Sequence, residues 1–262
     1  MVSDFAPSPD LVEPDGSAPI PPSSRPSLRA RAVALAQVLL CSDVPTQLAL
    51  AIVMGLFGWF STDATGALSL RYVVALSLAD VVLLVFLMVV CLRASGESPA
   101  ALWMGRRPVK REVLLGLLLI PAVFVAVAVV LSGTRLLAPE LHNVAENPLA
   151  QLARTPMQAA VLALVVILAG GLREELQRAF LLHRFEHYLG GTWVGLVVVS
   201  VAFGLGHQLQ GWDAVIAIGT LGAIWGLVYI RRRSSVAAVV SHAGFNALEI
   251  VAAIATGGIA AG

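Results

Sequence analysis

Charged residues are scarce in this sequence, 13% of 262 positions, against about 25% in soluble globular domains. With 58% apolar residues and a mean hydropathy of +0.86, that scarcity excludes an ordinary soluble domain and implies a polytopic membrane protein. Net charge is almost absent too, at +1, and no long basic block or aromatic-basic weave occurs. Nucleic acid is therefore not an expected partner. The only two cysteines, Cys41 and Cys91, lie far apart with no Cys-x-x-Cys spacing, which excludes a dithiol redox motif and a zinc ribbon. Both read as buried packing thiols. A basic patch ahead of an apolar core is missing at the N-terminus, which opens with Asp4, Pro7, Pro9, Asp10 and Glu13. That beginning does not read as a signal peptide, so insertion is expected from an internal helix. No repeat of fixed period is found.

Apolar runs supply what is there. Seven of the 14 prolines precede Ser27, mixed with Ser, Asp and Gly, a composition unable to bury enough apolar surface to offset ordering. Residues 1–26 are expected to be a disordered tail. Apolar segments of spanning length follow at about 32–60, with a break near Asp43 and Pro45, then 68–92, 113–131, 157–182, 193–209, 214–230 and 236–259. The fold class is thus all-α, a polytopic transmembrane helix bundle of about seven spans. Residues 27–156 form N-terminal membrane helices with interfacial connections, and 157–262 form a C-terminal core. Dense glycines, among them Gly195, Gly204, Gly219, Gly222 and Gly226, predict close helix approach in that core. Trp103 and the basic residues around it read as an interfacial stretch within 96–112. Arg25, Arg29, Arg31, Arg93, Arg106, Arg107, Lys110, Arg111, Arg184 and Arg231-Arg232-Arg233 all fall on one side of a seven-span arrangement. The N-terminus is therefore expected in the cytoplasm.

Against this apolar background the stretch Arg173-Glu174-Glu175-Leu176-Gln177-Arg178 stands out, because ionisable residues at bilayer depth are costly and usually serve function. Glu174 and Glu175 precede Arg178 by four and three residues, so its guanidinium reaches either carboxylate. His207 lies on the next span, one turn after Phe203. His242, Asn246 and Glu249 recur at i, i+4 and i+7, one face of the last span. A carboxylate beside histidines suits a base toward water, and an imidazole with an amide suits a developing oxyanion. Amide hydrolysis without a Ser or Cys nucleophile fits that set, since Ser200 and Ser241 lack a nucleophile's setting and the cysteines are far upstream.

Three motifs in order resemble the CAAX protease and bacteriocin-processing (CPBP, Abi) family of intramembrane proteases. The family's Glu-Glu-x-x-x-Arg is similar to the segment around Glu174 to Arg178, its Phe-x-x-x-His to Phe203 and His207, and its His-x-x-x-Asn to His242 and Asn246. The resemblance covers about 157–250. It implies a peptidase in which a glutamate of the first motif activates water, assisted by His207, while His242 and Asn246 support the oxyanion. The expected catalytic set is Glu174, Glu175, Arg178, His207, His242 and Asn246. In one respect the chain departs from the pattern. Aligned on Arg178, the leading glutamate position holds Arg173, so the base falls to Glu174 or Glu175. A position five before Arg178 lies about 140° around the helix from it, and a position four before about 40°, so the two are not equivalent.

His183-Arg184-Phe185-Glu186-His187 matches the inverted zinc-protease pattern His-x-x-Glu-His. It sits where a helix should stop, beside Gly190-Gly191, and reads as an interface anchor. No cofactor is expected. A zinc ion held by Glu174 or Glu175 with His207 and His242 is the alternative. The expected partners are the lipid bilayer and a peptide or membrane-protein substrate, prenylated or not, and the resemblance implies a bacterial cell membrane. Two other readings use the same polar residues: a non-catalytic immunity or partner-binding protein, and a proton-coupled transporter.

Overall fold

The computed structural model describes residues 26–63, 66–145, 152–153 and 155–255. The tail expected over 1–26, Pro26 apart, and the end of the last expected span lie outside the described residues. Helices account for nearly all regular structure, and the one β feature among the described residues is an isolated bridge between Thr62 and Leu68. Helices α1 (Leu28–Leu40) and α2 (Val44–Leu56) are followed by α3 (Leu70–Ala94), the short α4 (Pro99–Trp103) and α5 (Val109–Leu137). The core comprises α6 (Pro156–Val165), a π-helical segment (Val166–Arg173), α7 (Glu174–Tyr188), α8 (Thr192–Leu205), α9 (Trp212–Arg232) and α10 (Val236–Ala255).

Local chemistry sets the helix starts. The side chains of Ser27, Ser69 and Ser98 accept from the backbone amides of Ala30, Tyr72 and Ala101, satisfying donors that a first turn leaves open. Thr155 and Gln158 form a reciprocal capping box, with Pro156 at the first helical position. The expected break near Asp43 and Pro45 is a bend of 44° between α1 and α2, with Asp43 at φ 72° and Pro45 in the first turn of α2.

Among the described residues, five helices are long and apolar enough to cross a membrane, or six if the bent pair counts as one span. They are α3, α5, the continuous run Pro156–Tyr188, α9 and α10. The expected span at 193–209 departs from this. It is α8, 14 residues long, or about 21 Å, against a hydrocarbon core of about 30 Å. Gly206 and Gly211 bracket the turn that ends it, and Gly211 has φ 108°, a conformation that glycine adopts without strain. Among the described residues, length and composition thus support five or six spans, and α8 is shorter than the layer is thick.

The basic residues assigned to one side gather at one end. Arg31 Nε donates to Tyr188 O, Arg107 Nε to Arg232 O, Arg232 Nε to Glu112, Arg184 to Glu97 and Arg233 to Glu186. Trp103 is half-buried, and its indole donates to Leu176 O at 3.1 Å while its own carbonyl accepts from Ser235 N. These bonds tie the start of α10 to α7. Cys41 is fully buried and Cys91 partly so, and both are free thiols.

Glycines bring α8 onto α9. A Cβ built on Gly204 would stand 2.5 Å from Val215 O and 3.1 Å from Gly219 Cα, both backbone atoms that cannot swing aside. Gly133, on α5, meets nothing within 4 Å. Gly204→Ala is therefore expected to destabilise the purified protein by about 1–3 kcal/mol through overpacking. Gly133→Ala should be neutral or slightly stabilising, since alanine is the better helix former. Unfolding in detergent, compared across the two variants, checks the pair.

Candidate active site

The run from Pro156 to Tyr188 changes winding where the site begins. Residues Val166–Arg173 are π-helical, a form that is rare and often found at functional sites. The segment contains Gly170 and Gly171, which leave room for α10. A Cβ on Gly171 would lie 2.6 Å from Ala243 Cα, and one on Gly170 would lie 2.5 Å from the Asn246 amide nitrogen and 3.9 Å from His242 Nε2. Asn246 in turn donates its side-chain amide to Val166 O at 3.2 Å. The glycine pair thus sets the distance at which the last helix meets the carboxylates.

Glu174 and Glu175 open α7, and both reach His242 from different sides. His242 Nδ1 donates to Glu175 Oε1 at 2.8 Å, while His242 Nε2 lies 3.8 Å from Glu174 Oε2. Because a carboxylate only accepts, the first contact fixes the proton on Nδ1 and leaves the Nε2 edge turned toward Glu174. Adjacent residues on a helix diverge by about 100°, which is how neighbours come to meet opposite edges of one ring.

The two carboxylates differ in surroundings. Glu175 is 2% exposed and is ion-paired with Arg178, itself 2% exposed. Arg178 lies over the Phe203 ring at 4.4 Å and 5.9 Å from the Trp225 ring centre. Trp225 stacks on His242 with ring centres 3.8 Å apart, and its indole donates to Ser241 Oγ. Imidazole and guanidinium are thus held by aromatic faces as well as by hydrogen bonds. Glu174 keeps a partly open side chain, 13% exposed, and accepts from Arg173 Nη2 at 3.2 Å.

Arg173, the residue in place of the pattern's leading glutamate, is a buried counter-ion. Its guanidinium donates to Asp43, to Asp80 Oδ2 at 3.0 Å and to Glu174, and its Nε donates to Ala169 O. Three carboxylates from the α1–α2 bend, α3 and α7 therefore converge on one cation. The role of Asp80 had not been read from the sequence, although a lone carboxylate inside an apolar span was a usable signal. Trp225 carried no comparable signal, being one apolar residue among many.

His207 follows α8, and its Nδ1 donates to Phe203 O at 2.8 Å. Phe203 connects it to the rest: the ring centre is 4.9 Å from that of His207 and 6.2 Å from that of His242. Depth along the helices agrees. At 1.5 Å per residue, Arg178 lies about 15 Å from Tyr188 and Phe203 about 17 Å from Thr192. Because α8 is short, His207 comes to a depth close to that of the α7 carboxylates. Glu249, on the same face as His242 and Asn246, occupies an exposed position outside the cluster.

Of the two glutamates, Glu175 already occupies His242 Nδ1, so a zinc ion on His242 Nε2 with His207 would draw its carboxylate from Glu174. Residues 156–248 match the family model described as Rce1-like, type II CAAX prenyl endopeptidase Rce1-like. Over those residues the chain is similar to a CAAX-protease core. The match spans the π segment, both glutamates, His207, His242 and Asn246. No curated protein and no solved structure matches the chain. The apolar helices, with this likeness to a membrane-protease family, support an integral membrane protein, and the matched family is one of intramembrane endopeptidases.

Arg173→Met would leave three carboxylates of the core facing one another, at a cost of about 3–5 kcal/mol for an uncompensated buried charge. Combining it with Asp43→Asn and Asp80→Asn should restore part of that loss, a coupling that unfolding of the single and combined variants in detergent measures.

Proposed function

We propose that this protein hydrolyses a peptide bond of a membrane-associated or lipidated substrate, with Glu174 as the base that activates water. The observation that carries the reading is the division of His242 between two carboxylates: Glu175 binds Nδ1 at 2.8 Å and Glu174 stands 3.8 Å from Nε2. Glu175 is fully engaged with Arg178 and His242 and acts as a positioning residue. Glu174 is partly open, and a separation of 3.8 Å suits a bridging water better than a direct hydrogen bond.

Water held between Glu174 and His242 Nε2 gives its proton to Glu174 as the oxygen attacks the scissile carbonyl. The carbonyl oxygen becomes the oxyanion, and the Asn246 amide, which has a second N–H beyond the one donated to Val166 O, is suited to hold it. Collapse breaks the C–N bond, and Glu174 returns its proton to the leaving amine. His207, with Nδ1 donating to Phe203 O, offers Nε2 to orient the same water. Amide hydrolysis completed in this way needs no metal. The described fold, with apolar helices around a polar cluster about 15 Å from the basic end, suits a peptide that enters from the bilayer.

Purified full-length protein, given quenched peptides with and without a C-terminal prenyl group, tests the reading. Glu174→Gln is expected to lower kcat/KM by about 10²–10⁴-fold with the fold retained. Asn246→Ala should lower it by about 10²–10³-fold. Activity undiminished in Glu174→Gln would move the base elsewhere. Absence of cleavage across the panel, with proton-coupled flux in vesicles, would favour a transporter. Cleavage should persist in a strong chelator, and its loss would favour the zinc alternative.

A further inference from the structure

The His-x-x-Glu-His run at the end of α7 takes no part in the reaction proposed above, and its side chains converge. One ligand atom from each of His183, Glu186 and His187 lies within 4.8 Å of the other two. The two imidazoles are one turn apart, with ring centres 4.2 Å from each other. They border an open cavity of about 370 Å³, also lined by Glu97, Tyr229 and Arg233.

Both rings are already held by acceptors at one nitrogen. His183 Nε2 contacts Glu97 Oε1 at 2.9 Å, and His187 Nδ1 contacts the backbone O of His183 at 2.9 Å. Carboxylate and carbonyl oxygens accept, so each of these nitrogens carries the proton. The lone pairs are left on His183 Nδ1 and His187 Nε2. Carboxylate or carbonyl contacts to the far nitrogen are the arrangement that orients metal-ligating histidines and raises their basicity. Glu97 is itself fixed by Arg184, which is 1% exposed. The site also lies in the last turn of α7, where aligned backbone carbonyls favour a cation.

We propose that His183, Glu186 and His187 form a binding site for a zinc-class divalent cation at the basic end of the bundle, separate from the candidate active site. Two imidazoles and one carboxylate match the donor preference of Zn²⁺ and leave a coordination position for water. The sequence reading as an interface anchor is thereby extended. Glu186 is held by Arg233 through contacts of 2.5 and 2.7 Å, so the ion competes with that guanidinium. Arg233, with a side chain 55% exposed, is free to swing into solvent when the cation enters. Cation binding then releases the link between α7 and the turn joining α9 to α10.

Full-length protein in detergent, titrated with Zn²⁺ against a chromophoric chelator, provides the test. The intact chain should take up one ion that His187→Ala, altered at an exposed position, does not bind. Arg233→Gln should bind it several-fold more tightly because Glu186 is unpaired. Glu97→Gln should weaken it by about 10- to 100-fold. Co²⁺ in place of Zn²⁺ should give visible absorption bands that His187→Ala lacks. Failure of the intact chain to compete with the chelator, or equal binding by His187→Ala, overturns the site. Unchanged or weaker binding by Arg233→Gln overturns Glu186 as a ligand. Glu174→Gln should bind zinc like the intact chain, so failure of the peptidase reading leaves this result standing.

Discussion

A guanidinium buried among membrane helices requires negative partners, and Arg173 finds three of them on three parts of the chain. Asp43 comes from the bend between α1 and α2, Asp80 from α3 and Glu174 from the first turn of α7. Neither the cation nor the carboxylates would be tolerated alone at that depth. Their attraction to the one guanidinium fixes the N-terminal helices against the core and holds Glu174 at the edge of the polar cluster. The residue that breaks the family's pattern thus ties the start of α7 to the remainder of the bundle.

From that anchor the site follows by packing. The π segment and its glycines admit α10 closely enough for His242 and Asn246 to face α7. Trp225 and Phe203 then cover His242 and Arg178 with aromatic faces, which hold charged and polar groups without competing for their hydrogen bonds. The two neighbouring glutamates diverge around the helix, so one is committed to Arg178 and the other keeps an open side. Their surroundings are therefore unequal, though their chemistry is identical.

Much of this was legible in advance. The apolar runs, the bend at Asp43 and Pro45, the segregation of basic residues and the order of the three motifs all follow from local composition and spacing. Helical periodicity also placed His242 and Asn246 on one face. The length of α8 was overestimated, although the run after Leu205 turns polar and glycine-bounded at Gly206-His207-Gln208-Leu209-Gln210-Gly211. Trp103 could not be placed, since an indole suits an interface and a buried carbonyl equally well, and Leu176 O supplied the second.

The amino-acid sequence by itself determined that this is a helical membrane protein and which polar residues it carries inside, because bilayer burial leaves so few exceptions among apolar residues. It also brought the motifs of a peptidase family into order. Only the tertiary structure gave Glu174 and Glu175 different surroundings, since those depend on which faces of α7, α8, α9 and α10 meet. It likewise gave Arg173 its meaning: Asp43 and Asp80 lie far from it along the chain, and no spacing rule links residues whose proximity arises from helix packing.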